Sequence, residues 1–203
     1  ETGFYNKFIK ERNFNNIKNM KDVVRKESND LSGEIYYYKN IPNEYKNYFP
    51  KLLNYDISNK WYEIEKVHGI NVSDLYTNEL LSKDNLKEIL NILNTFHKNV
   101  ASEKLDLNDN YLKKLKYRYK NYNYSIFSNY KIIYDKLKSK FNNYNNDCVL
   151  IHGDPVFTNI ILDNNNYKFI DMRGKVGNKL TIYGDKLYED RKSTRLNSSH
   201  ANI

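Results

Sequence analysis

The sequence predicts a mixed α+β fold, and three observations carry the prediction. Two segments in the first third, VVRKES from Val23 to Ser28 and KWYEIEKVHG from Lys60 to Gly69, have the short, β-rich character of strands. From Ser82 the apolar residues change to helical spacing, and the stretch LIHGDPVFTNIILDNNNYKFID from Leu150 to Asp171 returns to short apolar runs broken by polar turns. A chain of 203 residues that is 39% hydrophobic, with 20 Tyr and 9 Phe, has the apolar surface to build the core of one or two small domains.

The elements follow in order. The strand at Val23–Ser28 gives way to a turn through Asn29 and Asp30, then to a helix carrying Glu34, Ile35, Tyr36 and Tyr38 that Pro42 ends. In KWYEIEKVHG, Trp61, Glu63 and Glu65 alternate with Tyr62, Ile64 and Lys66, so a strand is expected to stop near Gly69. Leu86, Ile89, Leu90, Leu93 and Phe96 recur at helical spacing, with Ser82 or Asp84 as cap. Further helix is expected from about Asp109 to Phe141, with Tyr111, Leu112, Leu115, Ile132, Ile133, Leu137 and Phe141 as its apolar positions. CVLI, NIILD and YKFID then read as three short strands, the last two joined through Asn164, Asn165 and Asn166, since Asn tolerates left-handed turn geometry.

The net charge of +8 and pI near 9.2 permit anionic partners, but the lysines are spread along the chain and no zinc-finger or RNA-recognition signature accompanies them. Nucleic acid is therefore not expected as a partner. The one cysteine, Cys148, excludes an internal disulfide and reads as a buried thiol in a reducing compartment. With no run of some 18 apolar residues and no signal core, a cytoplasmic protein without membrane insertion is expected.

The chemistry gathers in the stretch from Leu150 to Asp171. A hairpin made of NIILD and YKFID sets Asn159 at the start of one strand and Asp171 at the end of its partner, beside the loop carrying His152 and Asp154. Two oxygen-bearing side chains next to a third carboxylate suit a hard cation such as Mg2+, which can bridge nucleotide phosphates while Asp154 faces an acceptor hydroxyl.

H-G-D-x-x-x-x-N followed by I-D resembles the catalytic core of the protein-kinase-like phosphotransferases, in the branch of aminoglycoside phosphotransferases and choline kinases. The resemblance implies a two-lobed fold and places Asp154 as catalytic aspartate, His152 as the histidine bracing the loop, and Asn159 and Asp171 as Mg2+ ligands. It also makes Lys26 the residue that grips the ATP phosphates, with Glu34 orienting it, and sets the hinge from Glu65 to Val67 against the adenine. GFYNKF at the start resembles a remnant of the phosphate-covering loop.

Likeness of this kind runs to about Tyr188. It implies an incomplete nucleotide-binding lobe over 1–67 and a truncated catalytic lobe over 68–188. From Glu189 the composition shifts to EDRKSTRLNSSHANI, which reads as a disordered, non-native tail without chemistry over 189–203. Met172, Arg173 and Gly174 replace the family's usual residues after the metal aspartate, which keeps open a nucleotide-binding pseudokinase or scaffold.

The acceptor implied is a small hydroxylated molecule. The helices expected to face it carry Lys113, Lys114, Lys116, Arg118, Lys120, Lys131, Lys136, Lys138 and Lys140 against Asp109 and Asp135, a surface that would repel a polycationic aminoglycoside. A sugar or an amino alcohol is expected ahead of it.

Overall fold

Strand β1 (Asn16–Asn19), β2 (Val23–Glu27), β3 (Leu52–Tyr55) and β4 (Trp61–Glu65) form an antiparallel sheet in the order β1-β2-β4-β3. The structure, a computed structural model, describes residues 16–107, 111–142, 144 and 148–194, the last four as helical backbone. GFYNKF lies outside the described residues.

The two-residue period decides what this sheet buries. Val24 faces Ile64 and Lys26 faces Tyr62 across β2 and β4, and all four are buried. The alternate face is polar: Arg25 stacks 3.9 Å from the Trp61 ring centre and pairs with Glu27 at 2.9 Å and Glu63 at 3.3 Å. Helix α1 (Ser32–Asn40) follows β2 and contributes Ile35, Tyr37 and Tyr38 to the core. It ends before Pro42 as expected, and a 3-10 turn at Asn43–Tyr48 leads into Phe49.

Past β4 the chain forms β5 (Ile70–Asn71), the short helix α2 (Val72–Thr77) and helix α3 (Lys83–Phe96). Ser82 caps α3 in a reciprocal box with Asn85, so the expected start holds. Its inner face is Ile89, Ile92, Leu93 and Phe96, whereas Leu90, expected on that face, is exposed. Phe96 stacks on Phe49 at 5.6 Å and meets Phe169 edge-on at 5.7 Å, while Tyr37 reaches Phe49 at 5.4 Å. This aromatic cluster joins the sheet, α1, α3 and the later hairpin in one core, and each such ring buried contributes about 1.5–3 kcal/mol.

Helices α4 (Leu112–Asn121) and α5 (Tyr130–Asn142) form where helical periodicity was expected, but none of their described residues is buried. Leu112, Leu115, Leu137 and Phe141 are half-buried, Ile132 and Ile133 are exposed, and the pair is held by rings, Tyr119 stacking on Tyr134 at 3.7 Å. Lysines interrupt the apolar stripe of both helices, so each offers its partner aromatic faces in place of a continuous aliphatic ridge.

Strand β6 (Cys148–Leu150) is buried throughout, and Cys148 is a buried thiol as expected. The hairpin of β7 (Ile160–Asp163) and β8 (Asn166–Phe169) adds to β5 in a three-stranded sheet. Its turn is the two residues Asn164 and Asn165, at φ 47° and 65°; Asn166, expected within it, already pairs with Asp163. A small ribbon of β9 (Lys175–Val176) and β10 (Lys179–Leu180) precedes β11 (Tyr183–Asp185), which pairs with β6.

Helix α6 (Lys186–Thr194) closes the described chain. It runs through the boundary expected at Glu189, and Glu189 itself is fully buried, which corrects the reading of that residue as the start of an unpacked tail. Residues 195–203 lie outside the described residues. Among the described residues, no helix is long and apolar enough to cross a membrane.

Candidate active site

The site begins with a lysine placed by strand alternation on the inner face of β2. Lys26 Nζ, on a side chain only 6% exposed, donates to Glu34 at 2.9 and 2.8 Å and to Asp171 at 2.9 Å. Glu34 sits in the first turn of α1 and also accepts from Tyr62 at 2.6 Å. The Lys26–Glu34 pair expected from sequence is thus a buried contact, and Asp171, 145 residues away in the chain, joins it.

Desolvation pulls the Lys26 ammonium toward neutrality, yet the two carboxylates and their hydrogen bonds outweigh it and hold its pKa above the ordinary lysine value. Burial lifts the Glu34 carboxyl against the pull of Lys26, with Asp171 adding to the lift. Lys26 sets the state of the cluster, because three short hydrogen bonds to two carboxylates leave it no reason to release its proton. One ammonium between two carboxylates leaves a negative charge at Asp171, the more exposed partner at 26%.

Two left-handed backbone positions aim these groups. Asp171 stands just past β8 at φ 61°, a left-handed conformation that costs a non-glycine residue about 1–2 kcal/mol. Gly174, at φ 60°, lies so close to Gly33 that a Cβ on either would strike the other segment's backbone. That approach docks the start of α1, and with it Glu34, on the segment that follows Asp171.

The loop His152–Asn159 is cross-tied to the same segment. Asp154 N donates to His152 Nδ1 at 3.2 Å, so Nδ1 carries the lone pair and Nε2 the proton, which it donates to Ile170 O at 2.9 Å. Ile170 N donates to Asn159 O at 3.0 Å, and Arg173 N to His152 O at 3.0 Å. Asn159, buried in a 3-10 turn just ahead of β7, donates its amide to Asp154 O at 3.0 Å. Its Oδ1 meets only the Thr158 hydroxyl at 3.4 Å among the described residues and keeps capacity to bind a cation. Asp154 is half-buried, and His152 ties its backbone N to Ile170 O through the two ring nitrogens.

Glu189 supports this loop from beneath and was missed by sequence reasoning. Its carboxylate accepts from His152 N at 3.1 Å and Gly153 N at 2.6 Å, and lies 3.3 Å from His97 Nε2. Its partners are backbone groups 36 and 37 residues upstream, and nothing in the polar stretch KLYED signals such a contact.

Glu65 and Val67 stand at the end of β4 and just beyond it, on the strand next to that of Lys26. Glu65 lies 4.0 Å from Lys168, while among the described residues the ion pairs of Lys26 are with Glu34 and Asp171. No group of three or more His, Cys, Asp or Glu side chains is gathered for a metal among the described residues. A cation here would rest on Asp171 and Asn159, with its remaining places filled from elsewhere.

His152 yields a pH prediction. Burial holds its pKa below the ordinary 6.5, against the pull of Glu189 and Asp154. The folded state keeps it neutral where the unfolded chain takes up a proton, so its contribution is present above about pH 6.5 and is lost as pH falls below that value. The thermal midpoint should drop from pH 7 to pH 5, and less steeply in His152→Asn. Parallel profiles for the two proteins would rule the histidine out as the source.

No family model and no curated protein matches the chain. It is similar to the crystal structure of a choline/ethanolamine kinase family protein from Mesorhizobium loti, with a TM-score of 0.63 at 14% identity. The match covers 98% of this chain and 67% of that one. The mixed helix and strand arrangement is therefore a fold shared with a kinase-family structure.

Proposed function

We propose that the chain is the core of an ATP-dependent small-molecule kinase that moves the γ-phosphoryl group to a hydroxyl of a small acceptor. The observation that carries this reading is the convergence of Lys26, Glu34 and Asp171 beside the loop bearing Asp154 and Asn159. The distant likeness to a choline/ethanolamine kinase family protein supports it. In this reading the fold is two-lobed, residues 1–67 binding the nucleotide and 68–188 carrying the catalytic groups, with Glu65 and Val67 beside the adenine.

Each residue then has a task. Lys26 offers its ammonium to the phosphates while Glu34, itself held by the Tyr62 hydroxyl, steadies it from behind. Asn159 and Asp171 would hold Mg2+, which would supply charge neutralisation for the phosphates. Asp154 orients the acceptor hydroxyl and takes its proton as the oxygen–phosphorus bond forms and the bond to the leaving ADP oxygen breaks. Little covalent chemistry is asked of the protein, because alignment and charge stabilisation provide most of the rate.

The replacement of the usual residues after Asp171 by Met172, Arg173 and Gly174 favours a second reading, a nucleotide-binding scaffold without catalysis. Acceptor-stimulated, Mg2+-dependent ADP release across a screen of hydroxyl compounds separates the two. The kinase reading expects release that needs both acceptor and metal; nucleotide binding with no acceptor-dependent release would leave the scaffold.

A further inference from the structure

Arg173 is fixed against the loop that carries Asp154. Its N–H donates to His152 O at 3.0 Å, and its stem crosses Gly153, where φ is +86° and an added Cβ would lie 2.6 Å from Arg173 Cβ. The guanidinium extends to Tyr188, donating from Nη1 to the hydroxyl at 3.0 Å with Cζ 5.4 Å from the ring centre. Lys114 Nζ from α4 approaches the same ring at 5.8 Å. All three side chains are half-buried, so solvent and solutes reach them.

The neighbouring cations show what is unusual here. Arg25 is paired with Glu27 and Glu63, Lys26 with Glu34 and Asp171, and Lys175 with Asp30 at 2.7 Å. Among the described residues no carboxylate pairs with Arg173, and Glu189, next to Tyr188, is committed to the His152 and Gly153 amides. The neutral Tyr188 ring holds the guanidinium by its face but does not cancel its charge. Most of the five guanidinium N–H donors remain for a planar or tetrahedral anion.

We propose that Arg173, Lys114 and Tyr188 form an acceptor-side subsite for an anionic group, a phosphate or carboxylate carried by the hydroxylated acceptor. This rests on the kinase reading of Asp154 and narrows it. Acceptors with a cationic amine are disfavoured, because a like charge beside Arg173 costs affinity. An anion seated there would present a hydroxyl of the same molecule to Asp154, one residue beyond Gly153.

The test is direct binding to the full chain with the nucleotide site filled by a non-hydrolysable ATP analogue, at low salt. The probes are glucose, glucose 6-phosphate, glucuronate and ethanolamine. Glucose 6-phosphate or glucuronate should bind at least about tenfold more tightly than glucose, the worth of one charge-assisted hydrogen bond, and ethanolamine no more tightly than glucose. The better of the two anions tells phosphate from carboxylate.

Arg173→Gln, which keeps most of the stem over Gly153, should abolish the preference, and Arg173→Lys should keep part of it. Lys114→Gln, on a helix away from the loop, should weaken it without disturbing the loop. Nucleotide affinity should stay constant in all three. Equal binding of the charged and neutral sugars, a preference for ethanolamine, or an anion preference that survives Arg173→Gln overturns the subsite. Turnover of glucose with no gain for its anionic forms would sink the subsite and leave the kinase reading; anion preference without turnover of any acceptor would do the reverse.

Discussion

Replacing Asp154 by alanine is expected to lower acceptor phosphorylation by about 10²–10⁴-fold while ATP binding and the thermal midpoint stay close to those of the parent. The structure explains why the effect should be confined to chemistry. The Asp154 side chain is half-buried, and two ties that fix its loop use its backbone: N to His152 Nδ1 at 3.2 Å and O from Asn159 at 3.0 Å. Alanine keeps both. Asp154→Asn should lose almost as much, because an amide can accept the hydroxyl hydrogen bond but cannot take the proton. The check is a comparison of kcat and nucleotide affinity for the three proteins with one identified acceptor. Wild-type turnover by the alanine variant would remove Asp154 from the mechanism.

Much of this arrangement was legible because it rests on local rules. The period of two in VVRKE and WYEIE put Lys26 and Tyr62 on one face, and Ser82 opened a helix whose Ile89, Leu93 and Phe96 reached the core. Asn164 and Asn165 turned a hairpin that delivered Asp171 to Lys26. The motif's fixed offsets tied Asp171 to Asn159 and Asp154 across the hairpin, whereas its contact with Lys26, 145 residues away, was not among the sequence expectations.

What stayed hidden has a common physical cause. Helical periodicity says which residues share a face and not whether another element covers it, so Leu90, Ile132 and Ile133 looked like core positions and are exposed. Left-handed backbone at Asp171 is not signalled by residue type, since Asp adopts it as single residues yet is far more often found elsewhere. Glu189 was missed because it binds amide N–H groups, and every residue but proline has one.

Glu189→Ala is expected to be the most damaging single change to the fold around the site. The carboxylate has no exposure and holds the His152 and Gly153 amides together with the His97 ring. Removing it strands two buried donors, at about 1–3 kcal/mol each. A loss of roughly 3–5 kcal/mol is expected, set against a total stability of about 5–15 kcal/mol for a typical domain. For a chain of this size that corresponds to a midpoint lower by roughly 10 °C. Glu189→Gln should lose less, since its carbonyl still accepts from one amide while its NH2 faces the other donor. The pattern expected in thermal unfolding is parent above Gln above Ala, with amide exchange at Gly153 accelerating in the same order. Unchanged midpoints in both variants would show that the loop holds its shape through the His152, Ile170 and Asn159 ties alone.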